Sequence, residues 1–106
     1  MKKIDSQKIH AAKRLAERYG LKFSQFVRDT LLHAIHFNGA RMVARQSCRV
    51  SILDIDYNVR VPDILDAENT KPGPITLRCV YDRNRKSIAT FLALDMIGLD
   101  DEDVEL

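Results

Sequence analysis

Apolar residues recur at helical spacing early in the chain and at strand spacing after residue 48, and this change of period predicts the fold. Asp5-Ser6 forms an N-cap pair whose side chains can accept hydrogen bonds from the orphan N–H groups of a first turn. Behind it Ile9, Ala12, Leu15, Ala16 and Tyr19 fall three or four apart, with Lys8, Lys13, Arg14, Glu17 and Arg18 on the other faces. Gly20, free to take positive φ, ends this helix. Ser24 caps a second helix whose apolar stripe is Val27, Leu31, Ala34 and Ile35, widened by Phe23, Phe26 and Thr30 and closed by Asn38-Gly39.

Residues 40–46 read as a helical extension or as a lead into sheet. Residues 48–55 are β-branched and partly alternating, and Asn58-Val59-Arg60-Val61 predicts a short partner strand across a turn at Asp56-Tyr57. Pro62 removes a ladder donor and should end that strand. Residues 66–74 have loop composition, and residues 75–81 and 87–94 predict a hairpin around Asp82-Arg83-Asn84-Arg85-Lys86. Met96-Ile97-Gly98-Leu99 predicts a last apolar contact, followed by an acidic tail over residues 100–105. The expected class is α+β: an N-terminal αα-hairpin followed by a small antiparallel β-sheet of three or four strands. Residues 1–46 form a basic helical module and residues 47–106 an acidic β-rich part, together one domain.

Charge sharpens this division. Residues 1–50 hold eleven of the 17 Lys and Arg but only three of the 15 acids, so that half carries +8. The remainder, with 6 basic and 12 acidic residues, carries −6, a contrast concealed by the overall +2. A basic helical half implies an anionic partner, most simply nucleic acid, with DNA favoured over RNA. The acidic half could serve dimerisation or receive a protein partner. No apolar run approaches the ~20 residues that span a bilayer, and the first residues lack a signal-peptide core, so a soluble cytoplasmic protein is expected. Cys48 and Cys79 show no metal spacing; both are expected as buried thiols in strands, with a disulfide between them as the alternative.

The helical residues carry a resemblance. Leu15-Ala16-Glu17-Arg18-Tyr19-Gly20 closing the first helix, then Ser24-Gln25-Phe26-Val27-Arg28-Asp29-Thr30-Leu31 opening the second, resemble the helical part of the ribbon-helix-helix family of Arc- and CopG-type DNA-binding proteins. The resemblance implies a homodimeric transcriptional regulator in which Ser24 begins the helix that meets DNA phosphate. It also implies base reading by an N-terminal strand, to which only Met1-Lys2-Lys3-Ile4-Asp5 corresponds here, with Lys3 on the groove side. Candidate phosphate contacts are Lys3, Lys22, Ser24 and Arg28, with Arg14 and Arg18 adding long-range attraction and Arg83, Arg85 and Lys86 forming a basic hairpin tip. The ordinary account of that tip is a polar turn guarding a sheet edge.

Other readings stand beside this one. Ala16, Gly20 and Phe26 also suit helix-turn-helix spacing, though Asp29 falls where an apolar residue is wanted, and a plain packed hairpin would show the same pattern. The order of two helices and a sheet is similar to RelE/ParE-type ribonuclease toxins, which would give Arg78, Tyr81 and Arg83 a role in RNA cleavage. A protein-binding inhibitor or adaptor of a mobile element is the third class. His33 and His36, three apart, could meet one ion with His10, but surface or core-edge placement is the ordinary state, so no metal site is expected. No P-loop, nucleophile elbow or cofactor box is present; no cofactor and no catalytic residue are assigned, and the reading leans away from an enzyme.

Overall fold

The computed structural model describes residues 6–96. Two helices, α1 (Ser6–Tyr19) and α2 (Gln25–His36), precede four strands, β1 (Ala40–Arg45), β2 (Val50–Val59), β3 (Gly73–Asp82) and β4 (Ser87–Leu92). The strands form one antiparallel sheet in the order β1-β2-β3-β4, so the fold is α+β, a helical hairpin followed by a four-stranded meander. The expected cap at Asp5, Lys3, and most of the apolar and acidic C-terminal stretch lie outside the described residues.

The ambiguous stretch after α2 is β1, an edge strand with an irregularity between Met42 and Ala44. The short partner strand expected across Asp56-Tyr57 does not form. Instead β2 runs unbroken to Val59, with Tyr57 opposite Ile75 and Asn58 opposite Pro74. Strand alternation explains the difference. Asp56 faces outward, where Arg41 (2.9 and 3.0 Å) and Thr76 (3.0 Å) bond its carboxylate. Tyr57 faces inward and is buried. A single turn of 3₁₀ helix, Val61–Asp63, with Pro62 inside it, then redirects the chain.

One face of the sheet presents Leu53, Ile55, Tyr57, Val59, Leu77, Cys79, Tyr81, Ile88 and Phe91, which share a core with Ala11, Leu15, Leu21, Val27 and Leu31. Ile52, Val80, Ala89 and Leu92 form a smaller core on the other face, packed by Val43, Ala44, Val50 and Met96. In α1 the buried face differs from the expected stripe: Ile9 is 54% exposed, whereas Ala11 and Leu15 are sealed and Arg14 is 6% exposed. Residues 11, 14, 15 and 18 are spaced i, i+3, i+4, i+7, so two arginines lie on the packed side. Arg18 Nη1 donates to the carbonyl of Phe91 at 2.5 Å, and Tyr19 Oη donates to that of Leu92 at 2.6 Å. Cys48, expected to be buried in a strand, is exposed in the bend between β1 and β2; Cys79 is buried, and both thiols are free.

Candidate nucleic-acid interface

The N-terminus of α2 is built from three local features. Gly20 takes φ 67° and lets the chain leave α1 sharply. Leu21 then forms a β-bridge with Ile64, and the Lys22 amide donates to the Asp63 carbonyl at 2.8 Å. Ser24 adopts extended backbone and its hydroxyl accepts from the Val27 amide at 3.2 Å, making it the expected N-cap. Phe23 anchors the approach, its ring meeting Phe91 edge-on at 5.3 Å between centroids.

The β3–β4 turn is held from below. Asp82, almost fully buried, accepts from the amides of Asn84 (3.0 Å) and Arg85 (3.2 Å) and from Arg49 (2.7 Å). Lys86 closes the turn at φ 53°. With the carboxylate turned inward, the tip offers only basic and neutral side chains outward.

These two elements meet. Arg28, from the first turns of α2, and Arg85 and Lys86, from the hairpin tip, line one cleft of about 230 Å³ floored by Phe23, Leu32 and Ile88. Arg28 lies over the ring of Phe23, a fellow lining residue, at 5.7 Å. No aspartate or glutamate lines the cleft. Also on α2, outside that cleft, Phe26 is half-exposed and Arg60 stacks on its ring at 3.5 Å. Arg60 was unmarked in the sequence, because only the path of the chain after β2 brings it to α2. A wider depression of about 550 Å³ lies near Arg18 and Lys71, but Glu17 and Asp66 line it as well, so its field is mixed.

The remaining candidates divide by how their charge is used. Arg14 is buried and bonded to Glu17 at 2.7 Å, and Arg18 is committed to the β4 carbonyl. Arg83 donates to the Cys48 carbonyl and the Ser51 hydroxyl, away from the cleft shared by Arg85 and Lys86. Lys22 is exposed on the linker before α2. Lys3 lies outside the described residues.

Of the groups suggested for RNA cleavage, Arg78 and Tyr81 are three apart on β3 and therefore face opposite sides of the sheet. Arg78 is held by Asp54 (2.8 and 3.0 Å) and by the carbonyls of Leu94 and Met96. Tyr81 and Arg83 line one cleft, but Arg78 lies across the sheet from Tyr81, so the three are not assembled in one place. His33 stacks on Phe37 with ring centroids 4.4 Å apart, while His36 meets Tyr81 edge-on at 6.3 Å.

The charge contrast between the halves is partly cancelled in space. Arg41 pairs with Asp56 and Arg49 with Asp82, each joining the basic half to the acidic one. Arg60–Asp63 and Arg78–Asp54 neutralise two more acids within the second half. No helix among the described residues is long and apolar enough to cross a membrane. No protein-family model, curated protein or solved structure matches the chain, so the ribbon-helix-helix resemblance rests on the helical residues themselves.

Proposed function

We propose that the protein is a small cytoplasmic DNA-binding regulator that grips the phosphate backbone between the N-terminus of α2 and the β3–β4 turn. The observation that carries this reading is the convergence of Arg28, Arg85 and Lys86, from elements nearly 60 residues apart in sequence, on one cleft without a carboxylate. Their charges have no acidic partner among the described residues, unlike Arg14, Arg41, Arg49, Arg60 and Arg78. A helix N-terminus adds partial positive charge and N–H donors beside them. Lys22 and Ser24 complete the surface. A homodimer would present two such grips along one duplex.

The test is fluorescence anisotropy of a labelled mixed-sequence duplex, read at 50 and 200 mM salt. Three phosphate contacts per protomer correspond to a loss of about 40-fold in affinity across that range for a monomer, and more for a dimer. Arg28→Glu and the pair Arg85→Glu with Lys86→Glu should each abolish binding at 200 mM while leaving the melting temperature unchanged. Absence of binding at low salt, or binding untouched by these reversals, would overturn the proposal.

A further inference from the structure

On the β1 side of α2, away from the phosphate cleft, lies a second cleft of about 360 Å³. Its wall is apolar, formed by Ile35, Met42 and Leu53, and its polar groups are His36, Asn38, Ser51, Tyr81 and Arg83. A volume of this size suits a small molecule rather than a chain segment.

Two features of the cleft point to a ligand. Tyr81 is 7% exposed, yet its hydroxyl makes no hydrogen bond to any described residue. Buried phenols ordinarily find a partner, because desolvating an unpaired hydroxyl is unfavourable. Since no fully sealed side-chain polar atom is left without a partner, this oxygen is open to the cleft that the residue lines. The second feature is Arg83. Its two terminal nitrogens are oriented by the Cys48 carbonyl and the Ser51 hydroxyl, which leaves three of its five N–H donors unspent. No carboxylate lines the cleft to balance its charge.

We propose that this cleft binds a small anion with a compact apolar body. The carboxylate or phosphate group would accept from Arg83 and the Tyr81 hydroxyl, and the body would lie against Ile35, Met42 and Leu53. The His36 ring, set edge-on to Tyr81, forms one side of the entrance. Burial holds the Tyr81 phenol above its ordinary pKa, so it remains a donor at neutral pH. The site is independent of the proposed DNA contact, since none of its lining residues lines the phosphate cleft, and Arg83 faces away from it.

Isothermal titration calorimetry of the full chain with benzoate and with phenyl phosphate tests this directly. Saturable binding of benzoate alone would assign a carboxylate ligand, and preference for phenyl phosphate a phosphate ester. Tyr81→Phe keeps the ring and removes only the hydroxyl, so the preferred probe should bind about 3- to 10-fold more weakly. The same variant without ligand should melt within about 2 °C of the parent, because its hydroxyl has no internal partner to lose. Met42→Glu, at an exposed strand position on the rim, should abolish binding by placing a like charge beside the anion. Failure of both probes to bind at millimolar concentration, or equal affinity for the parent and Tyr81→Phe, would overturn the proposal.

Discussion

Asp63 is 1% exposed and ties three parts of the chain together. It accepts from the Tyr57 hydroxyl at 2.6 Å, the Arg60 amide at 2.9 Å and the Arg60 guanidinium at 2.9 Å, while its own carbonyl receives the Lys22 amide. Burial alone would raise its pKa, but the hydrogen bonds from Arg60 and Tyr57 outweigh burial and hold the carboxyl below the ordinary range. The same environment pushes the Tyr57 phenol up to about 12, through burial first and the neighbouring carboxylate second. A carboxyl depressed by folding contributes stability that is fully present above its unfolded pKa of about 3.9 and lost as pH falls through the folded value. Asp63→Asn should therefore cost about 2–3 kcal/mol at pH 7, and the difference from the parent should shrink below about pH 4. Denaturant titrations at neutral and acid pH would show it; a gap independent of pH would mean that the ionised carboxylate is not the source. Gly20 makes a second residue-scale prediction. A Cβ there would stand 3.0 Å from Asp66 Cβ and closer still to Thr70 Oγ1, on a backbone at φ 67°. Gly20→Ala should lower stability by about 2–3 kcal/mol, read as a lower urea midpoint with an unchanged slope.

At the scale of elements, helix α1 is fastened to β4 through backbone groups as well as through apolar packing. The Tyr19 hydroxyl accepts from the Arg78 amide at 3.1 Å and donates to the Leu92 carbonyl at 2.6 Å, so it stands between two ladder positions that face each other. Tyr19→Phe leaves that N–H and C=O without this partner and should cost about 1–3 kcal/mol. Hydrogen exchange would locate the loss: the Arg78 amide should exchange faster, whereas amides of β1 should not. These contacts also show where local pattern was sufficient and where it failed. Ser24, Gly20 and the β3–β4 turn act through their immediate neighbours, and their residue types announce them. Residues Asp56 and Tyr57 read as a turn, but pairing with Thr76 and Ile75 on β3 decides their conformation. Arg14 and Arg18 read as a solvated face because a guanidinium is ordinarily exposed; partners such as the Phe91 carbonyl and the Glu17 carboxylate make the packed position tolerable. The two basic elements of the proposed interface were each legible. Their meeting in one cleft was not, since it depends on how α2 is seated over the sheet.

At the scale of the molecule, division into a basic module over residues 1–46 and an acidic remainder describes composition better than it describes packing. Strand β1, which the first segment contains, belongs to the same sheet as β2 to β4. Ala11, Leu15, Val27 and Leu31 are sealed by side chains of β2, β3 and β4, and the pairs Arg41–Asp56 and Arg49–Asp82 cross the division. Separating the segments would expose every one of these apolar residues. Helices of 14 and 12 residues are marginal by themselves in water, because nucleation is costly and most of their stability comes from the face they bury. A peptide of residues 1–46 should accordingly show a coil-like circular dichroism spectrum and bind the duplex weakly and without structure. The whole chain should melt in one transition, with equal calorimetric and van't Hoff enthalpies. A helical spectrum from the peptide, with DNA affinity close to that of the whole chain, would instead make the helices an autonomous binding unit. The Arg85 and Lys86 contacts decide between these outcomes independently, because the peptide lacks the hairpin tip. If the cleft is the phosphate grip, even a helical peptide must bind more weakly than the protein, by a margin that the paired Arg85→Glu and Lys86→Glu reversal in the full chain should meet or exceed.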